Sequence, residues 1–387
     1  MPYSFDFTDR MARMPQSGIR EVFDAAQAYD DLADLSIGEP DFATPEPIAA
    51  AVADAVGDGA SAYTQTVGRA DLREAIAEKL ADANDIRADP ETEVMVTPGA
   101  MGALFAATQV LAESGDEVLL PEPYWSNYHG HVANTGADLV TVPTTAADDF
   151  VPRPDAIAER ITDDTAGLIL NTPTNPTGAV VPPSTLRDIG DLLVEHDLWA
   201  ILDETYEDLV YDDATHHSLA SADAFFERSV TVHSFSKSYA MTGWRIGYAT
   251  GPAEVIERMR VLQEHTVSCA AEPAQIAAMA ALDHPEVASE IRDAFARRRE
   301  LILDRLAEVP DVDPGTPRGA FYVFADVSTL TADTSEFAKE LLPAGVAAVP
   351  GSVFGEAGEG FLRFSYANDE AVIRTAMDRF QRAVETR

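Results

Sequence analysis

The sequence is short of lysine, cysteine and long apolar runs, and each shortage excludes a class of protein or site. Its only lysines are Lys79, Lys237 and Lys339, and Cys269 is its one cysteine. A single cysteine excludes an intramolecular disulfide and a metal site of clustered cysteines, and we expect no bound metal. No run of about 18 apolar residues exists, so we expect no transmembrane helix. Residues 1–15, MPYSFDFTDRMARMP, have no apolar core of a secretory signal, so we expect a cytoplasmic protein without a membrane partner.

Positive charge is also scarce, and the formal net charge is −39. A charge of this size makes a folded chain repel itself, unless salt screens it: the Debye length shrinks to about 3 Å at 1 M. Acidic residues along the whole chain and the near absence of lysine favour a salt-rich cytoplasm, as in a halophilic archaeon. An acidic protein from a genome that prefers arginine is the alternative. Either way, we expect no nucleic-acid partner.

Short apolar runs alternate with helical stretches along most of the chain. The spacing of apolar residues predicts helices at residues 20–34, 46–57 and 69–83. The runs typical of buried strands are residues 94–97, 118–121, 167–171, 198–204, 230–236 and 245–251. Helical stretches lie between most of these runs, which predicts an α/β fold with a mostly parallel sheet and helices on both faces.

The last hundred residues have a different pattern, with a long predicted helix at about 286–307 and a closing helix at 369–386. Between them, FYVFADV, VAAVPGS and FLRFSYA predict short strands, and so a smaller α+β domain. We expect residues 1–45 to pack with it as an N-terminal segment, because so small a sheet needs covering. The predicted division is an N-terminal segment, a large domain and a small domain, at residues 1–45, 46–285 and 286–387.

Binding sites in parallel sheets lie beyond the carboxyl ends of the strands, and five such corners carry candidate residues. In the first, the backbone N–H groups of Gly99, Ala100 and Met101 open a helix and could bind a phosphate; an ordinary strand-to-helix turn is the alternative. Trp125 in the second could stack on a flat ring or pack a loop. Asn175 in the third precedes a proline, which restrains its backbone, and could offer its amide to a ligand.

The remaining two corners carry the ionisable groups. Asp203 ends an apolar strand and is expected to be part-buried with a partner for its charge, or to cap a helix; Tyr206 follows on the same side. Lys237 lies among apolar and hydroxyl side chains, where a desolvated amine can act as a nucleophile on carbonyls. Ser234, Ser236 and Arg245 flank it as phosphate donors. Lys79 and Lys339 have the glutamate neighbours of an exposed helical face.

Together the corners supply a phosphate site, a stacking ring, an amide, a carboxylate, a tyrosine and an amine. Pyridoxal 5′-phosphate requires this set, because its aldehyde forms a Schiff base with lysine, its ring nitrogen pairs with aspartate and its phosphate needs a cationic or dipolar site. The motifs GxGxxG and GxxxxGK[ST] are absent, so dinucleotide and P-loop sites are not supported.

Several motifs also resemble the class I/II aminotransferases of fold type I, in the aspartate and aromatic-amino-acid branch. They are SIGEPDF, YTQTVGRADLREAIA, TPGAMGAL, NTPTNPTGAV, DETYE, SFSKSYAMTGWRIGY, RGAFYVF and FLRFSYA, and they extend over nearly the whole chain. The resemblance implies a large domain with a mostly parallel mixed sheet and a smaller α+β domain. It also implies an aminotransferase that moves the α-amino group of an aspartate or aromatic L-amino acid to a 2-oxo acid such as 2-oxoglutarate.

The resemblance further implies a role for each site residue. Lys237 would bind the cofactor and move the substrate proton, with Asp203 on the ring nitrogen and Tyr206 on the phenolic oxygen. Arg363, with the backbone of Gly38, would bind the substrate α-carboxylate; a surface arginine on an edge strand is its local alternative. Tyr63 would reach the phosphate of a neighbouring subunit, which implies a homodimer. The other implied cofactor contacts are Gly99, Ala100, Met101, Trp125, Asn175, Ser234, Ser236 and Arg245, of which Trp125 and Asn175 also contact substrate.

The amino donor stays open at this point. Some aspartate-using members have a basic or polar residue where Met101 stands, and methionine cannot pair with a distal carboxylate. A β-lyase acting on sulfur amino acids is the alternative enzyme, because it shares the fold and the lysine. A non-catalytic regulator of the same fold is a third hypothesis, against which the chain shows no basic extension for DNA.

Overall fold

A seven-stranded mixed sheet lies at the centre of the structure, a computed structural model that describes residues 7–386. Residues 1–6 of the predicted N-terminal segment lie outside the described residues. The strands are β1 (Ala33–Asp34), β2 (Val94–Thr97), β3 (Glu117–Glu122), β4 (Asp138–Pro143), β5 (Thr165–Asn171), β6 (Trp199–Asp203), β7 (Ser229–Ser234), β8 (Gly247–Thr250), β9 (Tyr322–Asp326), β10 (Val346–Ala347), β11 (Val349–Pro350) and β12 (Phe361–Ser365). The central sheet has the order β2-β8-β7-β6-β5-β3-β4, and only β8 runs antiparallel to its neighbours.

The helices, in chain order, are α1 (Asp9–Arg13), α2 (Gly18–Ala26), α3 (Glu46–Gly57), α4 (Ala70–Ala83), α5 (Gly99–Leu111), α6 (Asn127–Thr135), α7 (Pro154–Ala158), α8 (Pro183–Glu195), α9 (Asp223–Phe226), α10 (Ala253–Thr266), α11 (Glu272–Asp283), α12 (Glu286–Ala307), α13 (Thr334–Leu341) and α14 (Glu370–Glu385). None of these described helices is long and apolar enough to cross a membrane.

The central strands are apolar on both faces because helices cover both. On one face α5, α6 and α10 pack against side chains such as Ile201 and Val232. On the other, α4, α8 and α11 pack against Leu202 and Tyr248. This sandwich explains why β5 and β6 read as continuous apolar runs rather than alternating ones. The predicted α/β fold with a mostly parallel sheet is confirmed.

Two parts of the predicted layout are wrong in detail. The helix predicted at 20–34 ends at Ala26, because Ala33 and Asp34 pair with Val346 and Ala347 instead. Strand β4 was not among the predicted strands: it is an edge strand with three of its six residues partly buried and two exposed, so it lacks the apolar run that marked the central strands.

A three-stranded antiparallel sheet, β11-β12-β9, forms the second layer of structure near the chain's end. Arg363 lies opposite Phe324 in the register of β12 and β9. Since β12 is the middle strand, Arg363 is enclosed from both sides and is 1% exposed. The local alternative for this residue, a surface arginine on an edge strand, is therefore wrong.

Candidate active site

A cavity of about 340 Å³ opens at the carboxyl edge of the central sheet. All five predicted corners contribute side chains to its wall, as expected from strands β2, β3, β5, β6 and β7 ending at one edge. The predicted site residues that line it are Gly38, Ala100, Met101, Trp125, Asn175, Asp203, Tyr206, Ser234, Ser236, Lys237, Arg245 and Arg363. Gly99 and Tyr63 are not among the lining residues.

The amine of Lys237 faces the cavity from the loop that follows β7. Its Nζ donates a hydrogen bond to the Gly38 carbonyl at 2.6 Å and lies 5.5 Å from the centre of the Phe321 ring. Burial lowers the pKa of Lys237 to about 8, and the charges of Arg363 and Arg245 act in the same direction. On the order of a tenth of this amine is therefore neutral, and nucleophilic, at pH 7, far more than for a lysine of ordinary pKa.

The carboxylate of Asp203 lies at the end of β6, where it is 3% exposed. It accepts hydrogen bonds from the Tyr128 hydroxyl at 2.7 Å and from the Thr205 backbone N–H at 3.1 Å. Burial raises the pKa of Asp203, and these two donors only partly oppose it. No described lysine or arginine donates a hydrogen bond to it. A protonated ring nitrogen in the cavity would supply the cation that this carboxylate lacks.

Tyr128 was missed by sequence reasoning, although a signal for it existed. It lies in α6, three residues after Trp125, and a spacing of three residues brings helical side chains to one side. The rings of Trp125 and Tyr128 meet edge to face with centroids 5.4 Å apart. Asp203 is thus held by a tyrosine that also supports the predicted stacking residue.

Glycines bring the start of α5 against the arginine that follows Lys237. A Cβ on Gly99, which has φ +72°, would lie 2.7 Å from Arg245 Nη2, and one on Gly247 would lie 2.7 Å from the Ala100 backbone nitrogen. Ser234 and Ser236 face the same end of the cavity. A helix N-terminus, two hydroxyls and a guanidinium form an anion site, and these donors fit the phosphate of pyridoxal 5′-phosphate.

Arg363 has a donor left for a ligand. Its Nη1 donates to Asn175 Oδ1 at 3.0 Å and its Nη2 to the Ser36 carbonyl at 2.5 Å, while its Nε has no hydrogen-bond partner among residues 7–386. Its guanidinium lies 4.5 Å from the centre of the Tyr322 ring and 5.0 Å from that of Phe354. Burial lowers the pKa of Arg363, so a bound anion would offset a real desolvation cost.

The segment that contains Gly38 covers the cavity from the side of the second sheet. A Cβ on Gly38 would lie 2.1 Å from the Tyr322 hydroxyl, so no larger residue fits there. Tyr322 also hydrogen-bonds Tyr206, hydroxyl to hydroxyl, at 2.9 Å. Thr242, from the loop after Lys237, donates a hydrogen bond to Glu39. Sequence reasoning missed Glu39, Tyr322 and Thr242, because their motifs are widely separated along the chain.

Tyr63 lies apart from the cavity of its own chain. Its side chain is 89% exposed, although neighbouring residues are tied down: the Ala62 backbone N–H donates to Glu272, and the Thr64 hydroxyl accepts from Gln275. The Tyr63 ring is thus held outward on an anchored loop, away from the cavity of its own chain.

Lys79 does not lie on an exposed helical face, and this prediction is wrong. Its Nζ donates to Glu207 at 2.6 Å and to Asn84 at 2.9 Å in the partly buried region behind the sheet. Burial lowers the pKa of Lys79, but the charge and hydrogen bond of Glu207, together with Tyr248 and Asp208, outweigh burial and raise it above its ordinary value. The glutamates beside Lys79 in the sequence suggested exposure, while its actual partner comes from the distant segment after β6.

The same region brings two carboxylates and an imidazole together. Ligand atoms of Glu204, Glu207 and His216 lie within 4.8 Å of one another. Glu207, however, already accepts from Lys79, Asn84 and His233. Its oxygens are satisfied by protein donors, so this cluster does not require an ion.

The contrast between the lysines gives a first prediction. In the cofactor-free protein, Lys237 should react with an amine-selective reagent with a midpoint near pH 8, because its neutral form is the nucleophile. Lys79, held protonated by Glu207, should stay unlabelled across this range. Peptide mass spectrometry after labelling between pH 6 and 10 measures each lysine separately, with exposed Lys339 as the internal control.

Added pyridoxal phosphate should protect Lys237 alone. Labelling of Lys237 with the same pH dependence as Lys339 would contradict the prediction.

The stability of the cofactor-free protein should follow the same titration. The unfolded chain holds this proton up to about pH 10.5 and the folded chain only to about pH 8, so this group's contribution to the free energy of unfolding rises with pH between those values.

Comparison with known proteins identifies this architecture as that of the pyridoxal-phosphate-dependent transferases of fold type I. The family model described as "Aminotransferase class I and II" matches residues 30–380. The chain therefore belongs to the class I and II aminotransferases and is a pyridoxal-phosphate-dependent aminotransferase.

Its relatives include enzymes named for aspartate and enzymes named for aromatic amino acids. The chain is 41% identical over 383 residues to an aspartate aminotransferase of Pyrococcus abyssi, covering 97% of this chain and 98% of the relative. It is 39% identical over 384 residues to aromatic-amino-acid aminotransferase 2 of Thermococcus litoralis, covering 98% of each. The solved aspartate aminotransferase of Thermus thermophilus with maleate matches with a TM-score of 0.94 and 38% identity, covering 98% of this chain and all of that one (100%).

Proposed function

We propose that this aminotransferase moves the α-amino group of L-amino acids with aromatic side chains to a 2-oxo acid, through the residues assembled in the cavity. The observation that carries the proposal is the position of three groups in one cavity: the Lys237 amine, the Asp203 carboxylate and the Arg363 guanidinium. When bound, pyridoxal phosphate supplies an aldehyde and a ring that accepts electrons from the substrate Cα. The protein's own groups bind, orient and move protons.

The proposed roles follow from the environment of each group. Arg363, with Asn175 and the backbone near Gly38, binds the substrate α-carboxylate and so fixes the Cα. Lys237, whose amine is partly neutral at physiological pH, takes the proton from that Cα at its Nζ. It holds the proton there for transfer to the bound cofactor. Asp203, with Tyr128 as its hydrogen-bond donor, would pair as a carboxylate with the protonated ring nitrogen of the cofactor.

The remaining predicted contacts hold the ligand in place. The phosphate would be held by Gly99, Ala100, Met101, Ser234, Ser236 and Arg245, and Trp125 would stack on the ring. Tyr206, fixed by its hydrogen bond to Tyr322, reaches the ring's phenolic oxygen.

The preference for an aromatic donor rests on the charge of the cavity wall. The cavity wall includes the apolar side chains of Ile19, Ile37 and Met101. These side chains offer no partner to a second carboxylate on the substrate. The lysine and arginines of the described chain that line the cavity are Lys237, Arg245 and Arg363, and each already has a proposed role. A distal carboxylate would therefore lose hydration without gaining a charged partner from this chain.

A donor panel tests this function. In high salt with 2-oxoglutarate, kcat/KM should be at least about tenfold higher for L-phenylalanine and L-tyrosine than for L-aspartate, since one unpaired carboxylate costs on the order of 1–3 kcal/mol. Met101→Lys, which adds a cation to the wall, should raise kcat/KM for aspartate, and Met101→Leu is the matched control. A preference for aspartate in the unmodified protein would contradict the proposal. Pyruvate and ammonia formed without an acceptor would indicate the β-lyase instead.

We further propose a salt-dependent homodimer in which Tyr63 reaches the cofactor phosphate of the partner subunit. The exposed Tyr63 ring on an anchored loop supports the dimer, and the net charge of −39 supports salt dependence. In about 2–3 M KCl, light scattering should give twice the chain mass of 41.6 kDa. Dialysis to about 0.1 M salt should lower the helical circular dichroism signal, because carboxylate repulsion is then unscreened. A monomer at high salt, or an unchanged spectrum at low salt, would contradict the corresponding half of the proposal.

The division into an N-terminal segment (1–45), a large domain (46–285) and a small domain (286–387) also stays a prediction, as does the cytoplasmic location. The pairing of β1 with β10 supports the packing of the N-terminal segment with the last hundred residues. Arg298 of α12 supports it too, since it donates to Asp41 at 2.7 and 3.2 Å.

A further inference from the structure

One side chain of the three-stranded sheet, that of Tyr322, reaches the cavity of the central sheet. Tyr322 is the first residue of β9, is 1% exposed and lines the cavity. Two residues further along β9, Phe324 lies opposite Arg363 of β12. Because alternate residues of a strand and directly opposed residues of a pair share a face, Tyr322 and Arg363 project from the same face. Tyr322 therefore approaches the cofactor-binding groups of the central sheet from the side of Arg363.

The hydroxyl of Tyr322 contacts two parts of the cavity wall. It hydrogen-bonds the Tyr206 hydroxyl at 2.9 Å, and a Cβ on Gly38 would lie 2.1 Å from it. The backbone of Gly38 thus leaves room for this hydroxyl and for nothing larger. Burial raises the pKa of Tyr206 and of Tyr322 above the ordinary value, although the charge of Arg363 opposes it. Both hydroxyls therefore keep their hydrogens near neutral pH.

Two neutral hydroxyls in one hydrogen bond include one donor and one acceptor, and the role proposed for Tyr206 decides which is which. An anionic phenolic oxygen of pyridoxal phosphate can only accept. Tyr206 has a single hydrogen, so if it donates to that oxygen it must accept from Tyr322. A hydroxyl that accepts one hydrogen bond becomes a stronger donor of another, because the two bonds polarise each other. The Tyr322 hydroxyl thus orients and strengthens the donor that faces the cofactor.

The ring of Tyr322 has a different neighbour, the guanidinium of Arg363. The centre of the ring lies 4.5 Å from Arg363 Cζ, a distance at which a cation is attracted to the face of an aromatic ring. The acceptors of the two guanidinium hydrogen bonds, the Ser36 carbonyl and Asn175 Oδ1, are neutral. The ring therefore adds an electrostatic attraction to this buried cation and limits its movement out of the plane of those two bonds.

We propose that Tyr322 is a positioning residue that serves two binding groups at once: its hydroxyl directs the Tyr206 hydrogen to the cofactor's phenolic oxygen, and its ring holds the Arg363 guanidinium for the substrate carboxylate. The inference rests on the roles proposed above for Tyr206 and Arg363. The other titratable groups of the cavity wall are Glu39, Tyr128, Asp203, Lys237, Arg245 and Arg363. Tyr322→Phe leaves all of them in place and keeps the ring, so it isolates the hydroxyl.

The visible absorbance of the bound cofactor, titrated with pH in high salt, tests the hydroxyl. Loss of a proton from the bound cofactor leaves more negative charge on the phenolic oxygen, so a donor there lowers the pH at which that proton leaves. Tyr206→Phe should raise the midpoint by about one to two pH units, the shift that corresponds to one hydrogen bond to a charged group. Tyr322→Phe should raise it by about half a unit, because Tyr206 still donates but has lost its supporting bond.

A double variant and a control make this test specific to the pair of tyrosines. On a Tyr206→Phe background, Tyr322→Phe should move the midpoint by no more than about 0.1 unit, since its acceptor is already gone. Tyr211→Phe is the matched control. The buried Tyr211 hydroxyl donates to the Ala320 carbonyl and does not line the cavity, so its removal should leave the midpoint within about 0.1 unit.

Binding of 3-phenylpropionate to the holoenzyme tests the ring. This acid has a carboxylate and an aromatic group but no amine that could react. Tyr322→Phe should leave its Kd within about twofold, because the face of the ring remains. Tyr322→Leu should raise the Kd about fivefold to tenfold, as expected for the loss of a buried contact between a cation and a ring. Tyr322→Met repeats the test should the leucine variant not fold.

The outcomes separate the inference from the roles on which it rests. An unchanged midpoint in Tyr322→Phe, the same shift on the Tyr206→Phe background, or an equal shift in Tyr211→Phe would overturn the role of the hydroxyl. An unchanged Kd in Tyr322→Leu, or an equal rise in Tyr322→Phe, would overturn that of the ring.

Two further variants test the roles themselves. If Tyr206→Phe leaves the midpoint unchanged, the assignment of Tyr206 fails, and if Arg363→Met leaves the Kd of the acid unchanged, that of Arg363 fails. If both variants have their expected effects and the Tyr322 variants do not, only the inference about Tyr322 fails.

Discussion

Lys237→Ala is expected to lower kcat by at least about 10³-fold, since a positioned general base contributes about 10²–10⁴-fold and this residue also holds the cofactor. Reduction with borohydride followed by mass spectrometry should show cofactor bound covalently to the unmodified chain and not to the variant. The alanine variant should still bind the cofactor reversibly, because the contacts proposed for Asp203 and the phosphate donors are intact.

Two other lysine substitutions make the prediction specific. Lys237→Arg keeps the positive charge but cannot present a neutral amine, so it should be as inactive as the alanine variant. Lys339→Arg, on an exposed helix, should keep full activity in a chain that already prefers arginine. Activity of Lys237→Arg above about 10% would show that charge rather than a neutral amine is what the site needs.

The central sheet and its five corners were predictable because their signals are local in the sequence. An apolar run followed by turn residues marks a buried parallel strand and its carboxyl end, and Asp203, Asn175 and Lys237 each lie within four residues of the end of such a run. The edge strand β4 escaped for the opposite reason: part of it contacts solvent, so its apolar signal is diluted.

Contacts between distant segments were not predictable from local patterns. Lys79 has Glu78 beside it and Glu74 five residues before it in its own helix, and these neighbours indicated an exposed face. Its partner Glu207 is 128 residues further along the chain, and no periodicity in α4 encodes that meeting. The Tyr322 hydroxyl against Gly38 and the His233 ring against Glu207 are of the same kind, since they exist only once the strands are in register.

Arg363 lies between these cases. Its burial could not be read locally, because one arginine in a short strand is more often at a surface; the resemblance of FLRFSYA to a family motif pointed to it. In the structure two aromatic rings and two hydrogen bonds hold the guanidinium, so its orientation is fixed before any substrate arrives. Such preorganisation reduces the entropic cost of binding a carboxylate.

Arg363→Met is expected to lower kcat/KM by about 10³-fold for amino acid and 2-oxo acid alike, because both lose a charge-assisted, bidentate partner worth about 4 kcal/mol in total. Folding stability should not fall with it. The variant leaves the Ser36 carbonyl and Asn175 Oδ1 without a donor, but it also removes a buried cation whose desolvation costs several kcal/mol. We therefore expect an unchanged or higher free energy of unfolding in the cofactor-free protein, measured by denaturant titration in high salt. Arg374→Met, which removes an exposed arginine paired with Glu370, is the control and should change neither quantity by more than about 0.5 kcal/mol. A variant that loses stability and activity together would show that Arg363 is retained for the fold, whereas a loss of kcat/KM alone identifies it as the group that binds the carboxylate.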